Sequence, residues 1–78
     1  MSKMRDVMKK FRNFQDEVFG SGVQGICEVE TYRNGEDYAI DFTVYFSETK
    51  ERVSFSWSSW AGEVSDWEEF KEQIRAKL

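Results

Sequence analysis

The sequence predicts an α+β fold, a two-layer α-β-β-β-α domain over residues 1–78 in which a three-stranded antiparallel meander carries both helices on one face. Three observations predict it. From Ile40 to Trp57 the segments IDFTVYF and VSFSW alternate apolar with polar residues, the period of a strand with one buried face. Residues 3–19 instead space Met4, Val7, Met8, Phe11, Phe14, Val18 and Phe19 along one side of a helix. Turn-forming residues at Asn34-Gly35 and at 48–51 divide the middle of the chain into three strands.

The first helix, over 3–19, has Ser2 as N-cap and carries Lys9, Lys10, Asn13, Asp16 and Glu17 on its polar side. It closes at Gly20-Ser21-Gly22, where glycine adopts the left-handed conformation at little cost. Strands follow at 23–33, 38–47 and 52–60, each enriched in β-branched or aromatic residues. Asn34-Gly35 suits a two-residue type I′ turn, which needs positive φ at both positions. That turn sets Arg33 opposite Glu36, Thr31 opposite Tyr38, Val29 opposite Ile40, Cys27 opposite Phe42 and Glu28 opposite Asp41. A four-residue loop at 48–51 sets Ser47 against Arg52, Phe46 against Val53, Val44 against Phe55 and Phe42 against Trp57. The last helix starts at Ser65, where Ser65 and Glu68 form a capping box. Trp67, Phe70, Ile74 and Leu78 make its apolar stripe.

Composition narrows the class. A chain of 78 residues buries only about 60% of its unfolded surface, but seven Phe, three Tyr and three Trp supply large apolar areas to a small core. One cysteine, Cys27, cannot form a disulfide within the chain, and the charged start MSKMRDVMKKF is neither a signal peptide nor a membrane span. Both point to a cytoplasmic location. The net charge of −4 is uneven. Residues 1–19 hold five basic and three acidic groups, whereas residues 20–64 hold three basic and eight acidic.

Catalysis has little support. The chain has no histidine, the commonest general base. Cys27 alternates inward with Val29, as a small core residue does. GSGVQG leads into a strand and lacks the Lys-Ser/Thr ending of a phosphate loop. No Cys/His cluster offers a metal site, and carboxylates Glu28, Glu30 and Asp41 would at most hold magnesium weakly. The expectation is a non-enzymatic protein with no cofactor and no metal.

The outer sheet face carries the functional signal. It holds Ile26, Glu28, Glu30 and Tyr32 on the first strand, Ala39, Asp41, Thr43 and Tyr45 on the second, and Arg52, Ser54, Ser56, Ser58 and Trp60 on the third. Like charges opposed across strands are unfavourable, so stability alone would place Lys or Thr there. Solvated surface is the plain reading of that face. The sharper reading is an acidic docking surface of Glu28, Glu30 and Asp41 with Tyr32, Tyr45 and Trp60 as aromatic anchors for a protein partner.

The order α-β-β-β-α resembles that of double-stranded-RNA-binding domains. That resemblance implies a lysine cluster at the start of the second helix, where this chain has Asp66, Glu68 and Glu69. These acids repel phosphates, so direct nucleic-acid binding is not expected. The acid on the sheet and second helix also resembles certain small phage-encoded inhibitors, including some anti-CRISPR proteins, which present carboxylates where phosphates would sit. That resemblance implies a partner that is a basic nucleic-acid-binding protein. The remaining readings are a homodimer or larger structural assembly joined at strand edges and an RNA-binding domain using Lys3, Arg5, Lys9, Lys10 and Arg12 on the first helix.

Overall fold

The computed structural model describes residues 3–60 and 66–78. Its order is helix α1 (Lys3–Gly20), strands β1 (Gly25–Asn34), β2 (Asp37–Phe46) and β3 (Glu51–Ser58), then helix α2 (Trp67–Lys77). The strands form one antiparallel sheet in the order β1-β2-β3, and both helices lie against the same face of it. The α+β architecture expected from the residue pattern is the one observed.

Helix α1 buries Val7, Phe11, Phe14 and Val18, spaced by four, three and four residues. Each such side chain removed from water contributes roughly 1.5–3 kcal/mol. Phe19 is an exception. It was expected in the stripe but is 54% exposed. It follows Gln15 by one turn, and Gln15 Nε2 donates to the Cys27 carbonyl at 2.9 Å. That flank therefore meets the edge of β1 and not its apolar face. The helix closes where Ser21 N donates to the Glu17 carbonyl at 3.1 Å and Gly22 turns to φ 78°.

Both hairpins depart from the expected register by two residues. Asn34 pairs with Asp37, so the turn is Gly35-Glu36 and not Asn34-Gly35. Gly35 has φ 66°, whereas Asn34 and Glu36 keep negative φ. That is the pattern of a type II′ turn, which needs positive φ only at its first central residue and takes glycine there. Val29 consequently faces Phe42, Cys27 faces Val44, and Glu28 faces Thr43 instead of Asp41. In the second hairpin Phe46 pairs with Glu51, leaving Ser47 to Lys50 as the loop. Lys50 takes φ 61° there, and its N–H donates to the Phe46 carbonyl at 2.8 Å. A slip of two residues preserves the faces, because side chains alternate with period two.

The inner face is therefore as expected. Cys27, Ile40, Phe42, Val44, Phe46 and Trp57 are buried, and Val29, Val53 and Phe55 are partly covered. Helix α2 adds Trp67, Phe70 and Ile74, while Leu78, expected in its stripe, follows the end of the helix and is 44% exposed. Trp67 stacks on Phe11 with ring centroids 4.6 Å apart and meets Phe42 edge-on at 5.5 Å. It thus joins both helices to the sheet. The N-cap falls one residue later than expected, at Asp66, and the helix runs from Trp67. Asp66 holds the N-cap position at φ 65° with no side-chain capping bond, and the first helical bond runs from Phe70 N to the Asp66 carbonyl. Ser2 and Ser65, the expected caps, lie outside the described residues.

Candidate functional site: the outer sheet face

The outer face is ordered into rows by strand pairing. Ile26, Tyr45 and Arg52 form one row, and Glu28, Thr43 and Ser54 the next. Glu30, Asp41 and Ser56 form the third, then Tyr32, Ala39 and Ser58. The like-charge pair expected from sequence is present with a different member: Glu30, not Glu28, stands opposite Asp41. Glu28 lies one row away on the same strand.

Each carboxylate of the central pair is met by a hydroxyl. Ser56 Oγ donates to Asp41 Oδ1 at 2.6 Å, and Tyr32 O–H donates to Glu30 Oε2 at 3.0 Å. The bond to Glu30 and the charge of that carboxylate hold the Tyr32 phenol above its ordinary range, and Asp41 and Glu28 push the same way. The negative field of three carboxylates thus converges on one exposed tyrosine. Four ion pairs occur elsewhere on the described surface: Glu68–Lys71, Glu17–Arg75, Glu72–Arg75 and Glu51–Lys77. None of these engages Glu28, Glu30 or Asp41.

Two hollows flank the acidic row. One, of about 350 Å³, is lined by Ile26, Glu28, Glu30, Thr43, Tyr45, Arg52 and Ser54. In it the Arg52 guanidinium lies 6.0 Å from the centre of the Tyr45 ring, within cation–π range. The other, of about 410 Å³, is a mostly apolar cleft at the opposite end of the sheet, where Tyr32, Tyr38 and Trp60 gather around Ala39. Trp60 is placed there by its neighbour. Ser59 N donates to the Tyr38 carbonyl at 2.9 Å and Ser59 Oγ accepts from Tyr38 N at 3.2 Å, which pins the chain beside β2 just past the end of β3.

Of the six residues singled out in the sequence, Glu28, Glu30, Tyr32 and Asp41 are adjacent. Tyr45 and Trp60 are not neighbours. Tyr45 and Ala39 are six positions apart on β2, about 20 Å at the rise of an extended strand. The anchors therefore bracket the acid instead of forming one patch with it. Arg52, Ile26 and Asp37 belong to the surroundings and were missed as site residues. Both Arg52 and Asp37 follow from outward parity, on β3 and at the start of β2, which an even slip in register leaves unchanged.

No protein-family model, curated protein or solved structure matches this chain. The chemistry of the surface must then be read from its own side chains. The Cys27 thiol is 4% exposed, and burial, with a smaller push from Glu28, raises its pKa to about 11. A thiol so protonated at neutral pH is a poor nucleophile. Among the described residues no group of three or more His, Cys, Asp or Glu side chains is arranged to hold a metal ion, and no helix is long and apolar enough to cross a membrane.

Proposed function

We propose that this chain is a small non-enzymatic binding module that engages a protein partner through its outer sheet face. The version we favour is an inhibitor or regulator of a basic, nucleic-acid-handling protein, working from the cytoplasm. The observation that carries the reading is the Glu30–Asp41 pair. Two carboxylates held side by side across strands cost stability, on the order of a few tenths to 1 kcal/mol, and the fold supplies hydroxyls to hold them there. A basic groove attracts such a pair at long range, which speeds encounter and weakens with salt.

The experiment is affinity capture from the native host with the wild-type chain and with Glu30→Lys/Asp41→Lys, whose fold is verified by circular dichroism. Both positions face away from the core, so folding should survive. Loss of the captured partner is expected, and salt should weaken wild-type capture. Equal capture by the double variant would remove the acidic face from consideration.

A further inference from the structure

The acidic row accounts for attraction but not for the cleft beside it. Trp60 is 72% exposed and Tyr32 51% exposed, and both open onto the same apolar hollow of about 410 Å³. That volume lies in the range of pockets that enclose small groups, roughly 300–1,000 Å³. Large rings left in water beside a pinned backbone are costly to leave uncovered, and they are the side chains most enriched at binding hot spots. We propose that the cleft between Tyr32 and Trp60 receives an arginine side chain of the partner. This deepens the proposed function and rests on it.

Charge selects the occupant. Asp37 lines the cleft, Tyr32 of that lining donates its hydroxyl to Glu30 in the next row of the sheet, and Asp41 stands opposite Glu30. Arg33 is the one opposing charge in the lining. An apolar side chain would fill the hollow but leave these carboxylates unanswered. A second copy of this chain would bring its own Glu30–Asp41 row against them. A guanidinium answers both features at once. Its plane stacks on aromatic faces and its N–H fork meets carboxylates. Lysine, a compact and strongly hydrated charge, matches the rings less well.

The test uses hexa-arginine, hexa-lysine and hexa-citrulline peptides, followed by NMR at low ionic strength. Trp57 and Trp67 are buried, at 3% and 5% exposure, so their indole N–H signals are internal controls for that of Trp60. The Trp60 signal should move saturably with hexa-arginine, several-fold less tightly with hexa-lysine, and not with hexa-citrulline. Trp60→Ala should weaken hexa-arginine binding about five-fold, and Trp60→Phe should retain most of it. Because Trp60 is exposed and lies outside the buried core cluster, its loss should leave most of the remaining amide spectrum in place. Unchanged affinity in Trp60→Ala would overturn the cleft assignment, as would equal binding of hexa-citrulline or of hexa-lysine. If Trp60→Ala binds normally while Glu30→Lys/Asp41→Lys does not, the cleft fails and the acidic face stands. If neither variant changes binding, both fail.

Discussion

Gly25 occupies a position where a methyl group cannot fit. A Cβ built there would collide with the backbone carbonyl of Tyr45, on the neighbouring strand. Something in the ladder must then shift, and the residue displaced is the one whose ring lines the Ile26–Arg52 hollow. Gly25→Ala should therefore destabilise the fold by about 1–3 kcal/mol, the usual cost of forcing extra volume into a packed region. Gly20 is the matched control. A Cβ there meets open space, and alanine in a helical turn is favoured over glycine by roughly 0.5–1 kcal/mol. Urea unfolding of the two variants should move the midpoint in opposite directions, and similar shifts for both would refute the packing account of Gly25. Residue and function meet here, because the same close approach that excludes a side chain at position 25 fixes where Tyr45 stands.

At the scale of elements, α2 is held by Trp67. Its ring stacks on Phe11 and on Phe70 and touches Phe14, Phe42 and Phe55 edgewise or tilted. Truncation to alanine leaves a cavity between three elements, at a cost of about 3–5 kcal/mol. For a domain of this size that approaches the whole of its stability, commonly 5–15 kcal/mol. Trp67→Ala should lose its near-ultraviolet dichroism and melt without cooperativity, whereas Trp60→Ala should melt like wild type. The inward position of Trp67 was legible in the sequence, since the 67, 70, 74 spacing has one apolar side. The strand faces were legible for a similar reason. Alternation decides which side a residue faces, and an even slip in register does not alter it. What alternation cannot decide is which even register forms. Asn34-Gly35 and Gly35-Glu36 both make two-residue turns, one by positive φ at two residues and the other at glycine alone. The second is adopted, and it extends the ladder by the Asn34–Asp37 pair. The acidic face was therefore foreseeable from sequence, but the identity of the opposed carboxylates was not.

Across the whole molecule, charge is divided between two jobs. On the outer sheet face carboxylates are gathered against one another. On the helical side they are paired: Arg75 forks onto Glu17 at 2.8 and 3.0 Å, tying α2 to α1, and Lys77 reaches Glu51 at 2.7 Å, tying α2 to β3. Both ties act near the C-terminal end of α2, beyond the aromatic cluster around Trp67. They hold the Glu17 carboxyl, through the Arg75 hydrogen bond, and the Glu51 carboxyl, through the Lys77 hydrogen bond, below the ordinary value of 4.5. In the unfolded chain both return to that value. A carboxyl whose pKa is depressed by folding contributes stability that is fully present above its unfolded pKa and lost as the pH falls through the folded one. The contribution should thus be constant near neutrality and decline below about pH 4.5, as protonation takes the negative charge from each pair. Exposure keeps each pair's share small and makes it sensitive to salt. Melting temperatures recorded from pH 7 to pH 3 should fall on the acid side, and Glu17→Gln/Glu51→Gln should flatten that fall while lowering the neutral plateau slightly. A wild-type profile with no acid limb, or a variant whose acid limb is as steep as wild type, would show that these pairs do not anchor α2. The core and the packing of Trp67 would then have to hold that helix alone.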